Sequence, residues 1–251
     1  MQGMDTSAVT SPELRGLRGD ALAAGDEPLA RAIEAELASR QRRCFTGEEL
    51  DIYDDSLRPR GVRERGLVHL EGDWHRSFHC WLVSPARRSL VVQRRALTKA
   101  TYPGALDASV AGHYRAGEGL AEVCREGQEE LGIELPVAAL LPLGRSVDAA
   151  RHGFLIDREV ADVHLYATDI APGGLGCDPG EVDAVLEVGL EAARALFCGE
   201  TETAPALEHR AGTATAVAIR AADFTVHLDR YYPRLILQAP RVADGLPPLR
   251  I

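Results

Sequence analysis

The sequence is poor in lysine and has no long apolar run. Lys99 is the single lysine among 251 residues, so arginine supplies nearly all of the positive charge. A membrane-spanning helix needs about 18 consecutive apolar residues, and the sequence contains no such run. The first part of the chain also lacks the apolar core of a secretory signal peptide. We therefore expect a cytoplasmic protein with no membrane partner.

Positive charge is also in deficit. The chain has 28 basic and 38 acidic residues, which gives a formal net charge of −10. Proteins that bind nucleic acid regardless of sequence do so by neutralising phosphates with lysine and arginine. This composition therefore argues against a nucleic acid polymer as the partner. Carboxylates, in contrast, are the oxygen ligands that Mg²⁺ prefers.

The cysteines are few, odd in number and far apart. None of the five forms a C-x-x-C pair with another. This pattern is typical neither of a disulfide framework nor of a structural zinc site. It indicates a protein of a reducing compartment.

Hydrophobic periodicity predicts a polar, mobile tail up to about residue 26 and a helix from Pro28 to Arg43. After it, strands and helices are mixed without strict alternation, which favours an α+β fold. The predicted strands are residues 78–83, 89–92, 137–143, 160–168 and 182–188. The predicted helices are residues 119–131, 190–197 and 216–237, with a polar linker at 199–215.

The helix predicted over residues 119–131 is unusually acidic. Glu122, Glu126 and Glu130 recur at i, i+4 and i+8, and Glu129 lies beside them. Each like-charge pair at this spacing costs about 0.2–0.5 kcal/mol on an isolated helix. A helix arranged against its own electrostatics indicates that a cation completes it. Carboxylates with no nearby histidine or cysteine on that face favour Mg²⁺ or Mn²⁺ over zinc.

This segment resembles the Nudix box, whose pattern is G-x5-E-x7-R-E-U-x-E-E-x-G-U with U aliphatic. The matching residues are Gly112, Glu118, Arg125, Glu126, Glu129, Glu130, Gly132 and Ile133. Six residues rather than seven separate Glu118 from Arg125, and Gly127 stands where an aliphatic residue is usual. The resemblance implies an α/β/α sandwich of the α+β class over residues 48–198. Residues 1–47 are then an N-terminal tail and helix, and residues 199–251 are a helical C-terminal extension.

The resemblance also implies a site that binds Mg²⁺, with Mn²⁺ as an alternative, at a substrate diphosphate. Glu126, Glu129 and Glu130 match the metal ligands of the family, and one of them serves as general base. Glu118 and the carbonyl of Gly112 are further candidates for the metal. Arg125 is expected to hold the neighbouring glutamates in place.

A second stretch is similar to type I isopentenyl-diphosphate isomerase and to the Nudix hydrolases most like it. The similarity lies in His75-Arg-Ser-Phe and in residues 93–104 and 109–113. It implies that Arg95 and Lys99 hold the diphosphate. It also matches His75, His113, Asp157 and Glu159 to ligands of a histidine-rich metal site, and leaves open whether they form one here. His69 is one residue out of register for a further histidine.

The hydrolase and isomerase branches differ at the catalytic residues. The isomerase carries a cysteine directly before the Gly-His pair, where this chain has Ala111. Glu126 and Glu129 follow the hydrolase pattern. We therefore expect a hydrolase of a small-molecule diphosphate, such as a nucleoside diphosphate derivative, whose terminal additions pack on the domain or form a homodimer. An isomerase-like enzyme and a non-catalytic sensor of a diphosphate ligand are the alternatives.

Overall fold

The computed structural model describes residues 8–228 and 230–249, which form two compact units. The first unit comprises the described residues up to Arg76, together with Tyr114–Gly117 and Asp148–Val160. The second comprises Ser77–His113, Glu118–Val147 and the described residues from Ala161 onward. Within the described part of the chain, no helix is both long and apolar enough to span a membrane.

The first unit begins with two helices. Helices α1 (Ser11–Ala23) and α2 (Glu27–Cys44) precede the hairpin of β1 (Glu49–Tyr53) and β2 (Pro59–Glu64), which leads into α3 (Arg65–Glu71). The expected mobile tail is wrong over α1, because Thr10 and Glu13 form a capping box and Leu14 is buried. Residues 1–7 lie outside the described residues. The predicted helix after Pro28 is confirmed as α2.

An antiparallel sheet forms the centre of the second unit. Its main strands follow the order β11-β10-β9-β4-β3, with β5 added to β4 and β6 added to β3. Strand β3 (Trp74–Ser84) begins in the first unit. The other strands are β4 (Ser89–Arg95), β5 (Leu106–Asp107), β6 (Val110–His113), β7 (Leu141–His152), β8 (Leu155–Ala167), β9 (Val182–Gly189), β10 (Ala204–Arg210) and β11 (Thr213–Ile219).

Helices cover both faces of this sheet. They are α4 (Leu120–Val123), α5 (Arg125–Leu131), α6 (Leu190–Phe197) and α7 (Tyr231–Ala243). Val92 belongs to the hydrophobic core that includes Leu196 of α6 and Leu235 of α7. The next residue, Gln93, contacts Glu130 of α5. Because successive strand residues point to opposite faces, α5 lies on the face opposite to α6 and α7.

The C-terminal part differs from the sequence prediction. The helix predicted over residues 216–237 is confirmed only from Tyr231, where α7 starts. The linker predicted over 199–215 is wrong from Ala204 onward, because β10 and β11 form a hairpin there. Pairing of β10 with β9 overrides the weak helical preference of this alanine-rich stretch. The predicted helix over residues 190–197 is confirmed as α6. The mixed α+β class, with N-terminal helices and a C-terminal helix, is also confirmed.

Candidate active site

The acidic segment forms two short helices rather than the single predicted helix. Helix α4 ends at Val123 and α5 begins at Arg125. The break occurs at Cys124. Its carbonyl accepts the N–H of Gly127 at 3.2 Å, a hydrogen bond between residues i and i+3 that is tighter than the usual α-helical i to i+4 bond. Gly132, with a φ of 67°, ends α5 in the left-handed conformation that glycine adopts readily.

Arg125 gathers three carboxylates of this segment. Its Nη1 lies 2.9 Å from Glu118 Oε2, and its Nη2 lies 2.8 Å from Glu126 Oε1. Its Nε is 3.5 Å from Glu129 Oε1. Despite the short spacing after Glu118, this carboxylate therefore meets the same guanidinium as the two glutamates of α5. The three carboxylates lie close enough together to share one cationic partner.

Glu130 is the buried carboxylate of the segment, with 2% of its surface exposed. Its Oε2 accepts the N–H of Ala111 at 2.9 Å and the side-chain N–H of Gln93 at 3.2 Å. Burial raises the pKa of Glu130 to about 8, and the negative charge of Glu126 adds to the rise. Glu126 and Glu130 are therefore close enough to repel each other, which a bound cation would relieve.

Gly112 allows this arrangement because it has no side chain. A Cβ at this position would lie 2.3 Å from Cδ of Glu126, well inside van der Waals contact. The Glu126 side chain therefore packs directly on the backbone of β6. Glycine at this position permits a close approach between strand and helix rather than an unusual φ.

These residues fit a divalent cation. The donors are carboxylate oxygens, which Mg²⁺ and Mn²⁺ prefer. One of them, Glu130, is buried among groups that hold it in a fixed position. Burying an ionised carboxylate is costly unless a cation or hydrogen bonds compensate.

Arg95 and Lys99 lie near this carboxylate. The positive charges of both lower the pKa of Glu130, against the dominant effect of burial. Each also has an acidic partner: Arg95 Nη1 is 3.1 Å from Asp107 Oδ2, and Lys99 is ion-paired with Glu181. Two cations predicted to hold a diphosphate therefore stand beside the acidic helix, each with its own counterion.

A second cluster of potential ligands lies in the first unit. One ligand atom each of His69, His75 and Glu159 lies within 4.8 Å of the others. Asp157 joins them, with its Oδ1 at 3.6 Å from Nε2 of both histidines. Sequence comparison left His69 out of register. The structure places it in the last turn of α3, and the left-handed Gly72 then turns the chain toward His75 on β3.

Both histidine rings are oriented by the backbone. Nδ1 of His69 is 2.8 Å from the carbonyl of Arg65, and Nδ1 of His75 is 3.1 Å from the carbonyl of Asp73. Because a carbonyl can only accept, each Nδ1 carries a proton, so each Nε2 presents a lone pair when the ring is neutral. Burial opposes a charge on His75, but its hydrogen bond with Glu159 raises the pKa of the ring, so a metal that binds there displaces a proton. The lone pairs face carboxylate oxygens, an arrangement that a cation between them would stabilise.

The carboxylates of this cluster agree with that interpretation. Oδ1 of Asp157 is buried and has no hydrogen-bond partner among the residues that the structure describes. Burial raises the pKa of Asp157 to about 7, and the charge of Glu159 adds to the rise. Burial also lowers the pKa of His69 to about 3, which keeps the ring neutral and able to bind a metal. Imidazole nitrogens together with carboxylate oxygens suit a transition metal such as Zn²⁺ or Mn²⁺.

His113 ends strand β6 in the second unit, opposite Ser77 of β3. Its carbonyl accepts a hydrogen bond from Nη2 of Arg125 at 3.4 Å. The backbone of this residue thus contacts the guanidinium that is paired with Glu118, Glu126 and Glu129. A role for its imidazole as a metal ligand stays a prediction.

A family model described as the NUDIX domain matches residues 73–209 of the chain. An uncharacterized Nudix hydrolase of Clostridium acetobutylicum is 38% identical over 122 residues, which are 48% of this chain and 59% of that protein. Nudix hydrolase 3 of Arabidopsis thaliana is 36% identical over 47% of this chain, but over only 16% of its own length. The chain therefore spans less than two thirds of both of these relatives.

Isomerases are also similar to this chain. The isopentenyl-diphosphate Delta-isomerase of Citrobacter koseri is 33% identical over 150 residues, which are 59% of this chain and 80% of that protein. Hydrolases and isomerases thus match at similar levels of identity. Overall similarity does not separate the two reactions, so the choice between them depends on individual site residues.

Proposed function

Because the chain belongs to the Nudix family, we propose that it is a pyrophosphohydrolase of a small molecule, such as a nucleoside diphosphate derivative. In this reaction water attacks phosphorus and the diphosphate linkage is cleaved. The observation that carries the proposal is the environment of Glu130. This carboxylate is buried, hydrogen-bonded to Ala111 and Gln93, and adjacent to Glu126.

In this proposal Glu126, Glu129 and Glu130 hold Mg²⁺ or Mn²⁺, with Glu118 and the Gly112 carbonyl as further oxygen donors. When bound, such a cation neutralises diphosphate oxygens and lowers the pKa of a water molecule. Arg125 keeps Glu118, Glu126 and Glu129 in a common position through the ion pairs described above. One of the three box glutamates accepts the proton of the attacking water.

Arg95 and Lys99 bind the substrate diphosphate. The planar guanidinium can donate two hydrogen bonds to phosphate oxygens, and the ammonium group adds a mobile point charge. Their effect on the pKa of Glu130 indicates that both charges act at the box carboxylates. The diphosphate would thus be held between these cations and the metal, despite the net negative charge of the chain.

The cysteines favour a hydrolase over an isomerase. Moving a proton to or from carbon requires two positioned proton carriers with suitable pKa values, and position 111 is an alanine. Cys80 pairs with Val110 across β3 and β6, but burial raises the pKa of its thiol. Burial also raises the pKa of Cys124. We propose that this chain stands in the isomerase-like branch of the family without the catalytic cysteine.

The cluster of His69, His75, Asp157 and Glu159 favours a second candidate function. It resembles the histidine-rich metal site of the isomerase, and the orientation of the two imidazole rings, of His69 and His75, suits metal binding. An isomerase-like enzyme would convert isopentenyl diphosphate to dimethylallyl diphosphate in the presence of metal. Absence of that conversion, together with diphosphate hydrolysis, would eliminate this candidate.

A substrate panel tests the proposal. Nucleoside diphosphate derivatives, dinucleoside polyphosphates and prenyl diphosphates are incubated with the protein and Mg²⁺ or Mn²⁺, with EDTA as control. We expect metal-dependent release of phosphorylated products from at least one class. Tight binding of a diphosphate without any turnover would instead support a sensor and contradict the hydrolase.

A further inference from the structure

Asp107 is the buried partner of Arg95. Its Oδ2 lies 3.1 Å from Nη1 of Arg95, and its Oδ1 accepts the N–H of Ala108 at 2.8 Å. Nε of Arg95 donates to the carbonyl of Thr101 at 3.2 Å. Nη2 of Arg95 donates to the same carbonyl at 3.2 Å and to the hydroxyl of Thr101 at 3.3 Å. The guanidinium is therefore fixed from two sides, and only a minority of its five N–H donors, on Nη1, is left for a ligand.

The segment between β11 and α7 packs on this carboxylate. The N–H of Thr225 donates to the carbonyl of Leu106 at 2.8 Å, which brings the segment alongside β5. The hydroxyl of Thr225 then donates to Oδ1 of Asp107 at 3.2 Å. Nε2 of His227 lies 3.9 Å from the same oxygen and 3.2 Å from the Thr225 hydroxyl.

The same segment is fixed by the start of α7. The hydroxyl of Tyr232 donates to the carbonyl of Thr225 at 2.7 Å. Burial opposes the charge on Asp107, but the interaction with His227 and the charge of Arg95 hold its pKa well below the usual range. Asp107 is therefore an ionised, buried anchor rather than a solvated counterion.

We propose that Asp107, Thr225 and His227 are positioning residues that hold the guanidinium of Arg95 in the orientation required to bind the substrate diphosphate. This inference rests on the proposed function, in which Arg95 contacts phosphate. It gives the C-terminal part of the chain a role in substrate binding. Holding an arginine in its binding rotamer in advance removes an entropic cost from association.

Electrostatics and positioning predict opposite effects at Asp107. If Asp107 only neutralises Arg95, then the uncharged asparagine side chain of the Asp107→Asn variant strengthens phosphate binding. If it positions Arg95, the same variant weakens binding although a repulsive negative charge has been removed. The sign of the change in affinity therefore separates the two roles.

A second arginine on the same strand provides a matched control. Arg94 is paired with Glu208, with Nη2 and Oε2 2.8 Å apart, and both side chains are largely buried. Because successive side chains of a strand point to opposite faces of the sheet, Arg94 lies on the face opposite to Gln93 and Arg95. Glu208→Gln therefore removes a comparable ion pair without touching the proposed phosphate site.

The experiment measures binding of inorganic pyrophosphate with Mg²⁺ by titration calorimetry, for the full chain and its variants. We expect roughly tenfold weaker binding in Asp107→Asn and about threefold weaker binding in Thr225→Val, the scale of one lost hydrogen bond. The affinity of Glu208→Gln for pyrophosphate should stay within about twofold of that of the unaltered chain. In an Arg95→Lys background, Asp107→Asn should add almost nothing, because coupled residues are not additive.

Several results would overturn the inference. Equal or tighter binding in Asp107→Asn, or a loss in Glu208→Gln as large as that in Asp107→Asn, contradicts a positioning role. Thr225→Val changes only one hydroxyl, so it supplies the answer if Asp107→Asn does not fold. Failure of the unaltered chain to bind Mg²⁺-pyrophosphate would contradict the proposed function itself, which is a different and recognisable result.

Discussion

Oε2 of Glu130 accepts a hydrogen bond of 2.9 Å from the backbone N–H of Ala111. The bond links the acidic helix α5 to strand β6 at Ala111, the position that the resemblance to the isomerase matches to a cysteine. The neighbouring Gly112 packs against Glu126. Glu130 and Glu126 are thus fixed by two consecutive backbone positions, Ala111 and Gly112.

Gly112→Ala should impair metal binding more than folding. The added Cβ would lie 2.3 Å from Cδ of Glu126, and this flexible side chain can move aside at modest cost. We expect a loss of less than about 1.5 kcal/mol in the free energy of unfolding, but at least tenfold weaker binding of Mn²⁺. Urea unfolding and Mn²⁺ titration measure the two effects. Unchanged Mn²⁺ affinity would show that Glu126 is not a ligand.

Glu181→Gln should strengthen diphosphate binding. Glu181 is ion-paired with Lys99 and is about 41% exposed, so a ligand can displace it. Exposed ion pairs contribute up to about 1 kcal/mol, which corresponds to roughly fivefold in affinity. We expect a gain of up to about fivefold for pyrophosphate at low salt. Glu187→Gln, which removes the ion pair between Glu187 of strand β9 and Arg87, is the control. Weaker binding in Glu181→Gln would argue against Lys99 as a phosphate ligand.

Asp107→Asn should lower stability at neutral pH and alter its acid dependence. Asp107 is buried and its pKa is held below the unfolded value, so its contribution to stability is present above about pH 4 and is lost as the pH falls further. Leaving Arg95 without its buried partner should cost about 3–5 kcal/mol at pH 7. Urea unfolding at pH 7 and pH 3 measures the free energy of unfolding of the unaltered chain and of Asp107→Asn. The difference between these two free energies should be smaller at pH 3 than at pH 7. A difference independent of pH would mean that Asp107 is not ionised in the fold.

His75→Gln should abolish stabilisation by a transition metal. A metal at a hundred times its dissociation constant stabilises the folded state by about 2.7 kcal/mol. We therefore expect Zn²⁺, which the all-carboxylate site on α5 does not favour, to raise the melting temperature of the unaltered chain but not that of the variant. His164→Gln is a suitable control, because His164 is another buried histidine and lies in the second unit. An equal rise in all three proteins would place the metal elsewhere.

Local patterns in the sequence predicted the parts of the structure that depend on local forces. The amphipathic period of residues 190–197 and the α5 end at Gly132 correspond to observed elements, because burial of one face and a left-handed glycine determine them. The resemblance to the Nudix box grouped Glu118, Glu126 and Glu129 as candidate ligands, and the structure has all three carboxylates beside one guanidinium. Arg125, expected to hold its neighbours, contacts all three.

Other features depend on long-range contacts and were missed. Residues 204–219 are rich in alanine and threonine, and only pairing with β9 makes them strands. His69 joins His75 because the left-handed Gly72 reverses the chain between α3 and β3, a turn that alignment by register does not reveal. The contact of Thr225 with Asp107 joins residues 118 positions apart, so no local pattern could indicate it.

The central claim is that the box glutamates support metal-dependent diphosphate hydrolysis. The most direct test compares the unaltered chain with Glu126→Gln, using the best substrate of the panel and saturating Mg²⁺. We expect turnover that EDTA abolishes and that falls at least about a hundredfold in the variant. Glutamine keeps the size of the side chain but lacks the anionic oxygen that the metal requires. Turnover unchanged by Glu126→Gln would contradict the central claim.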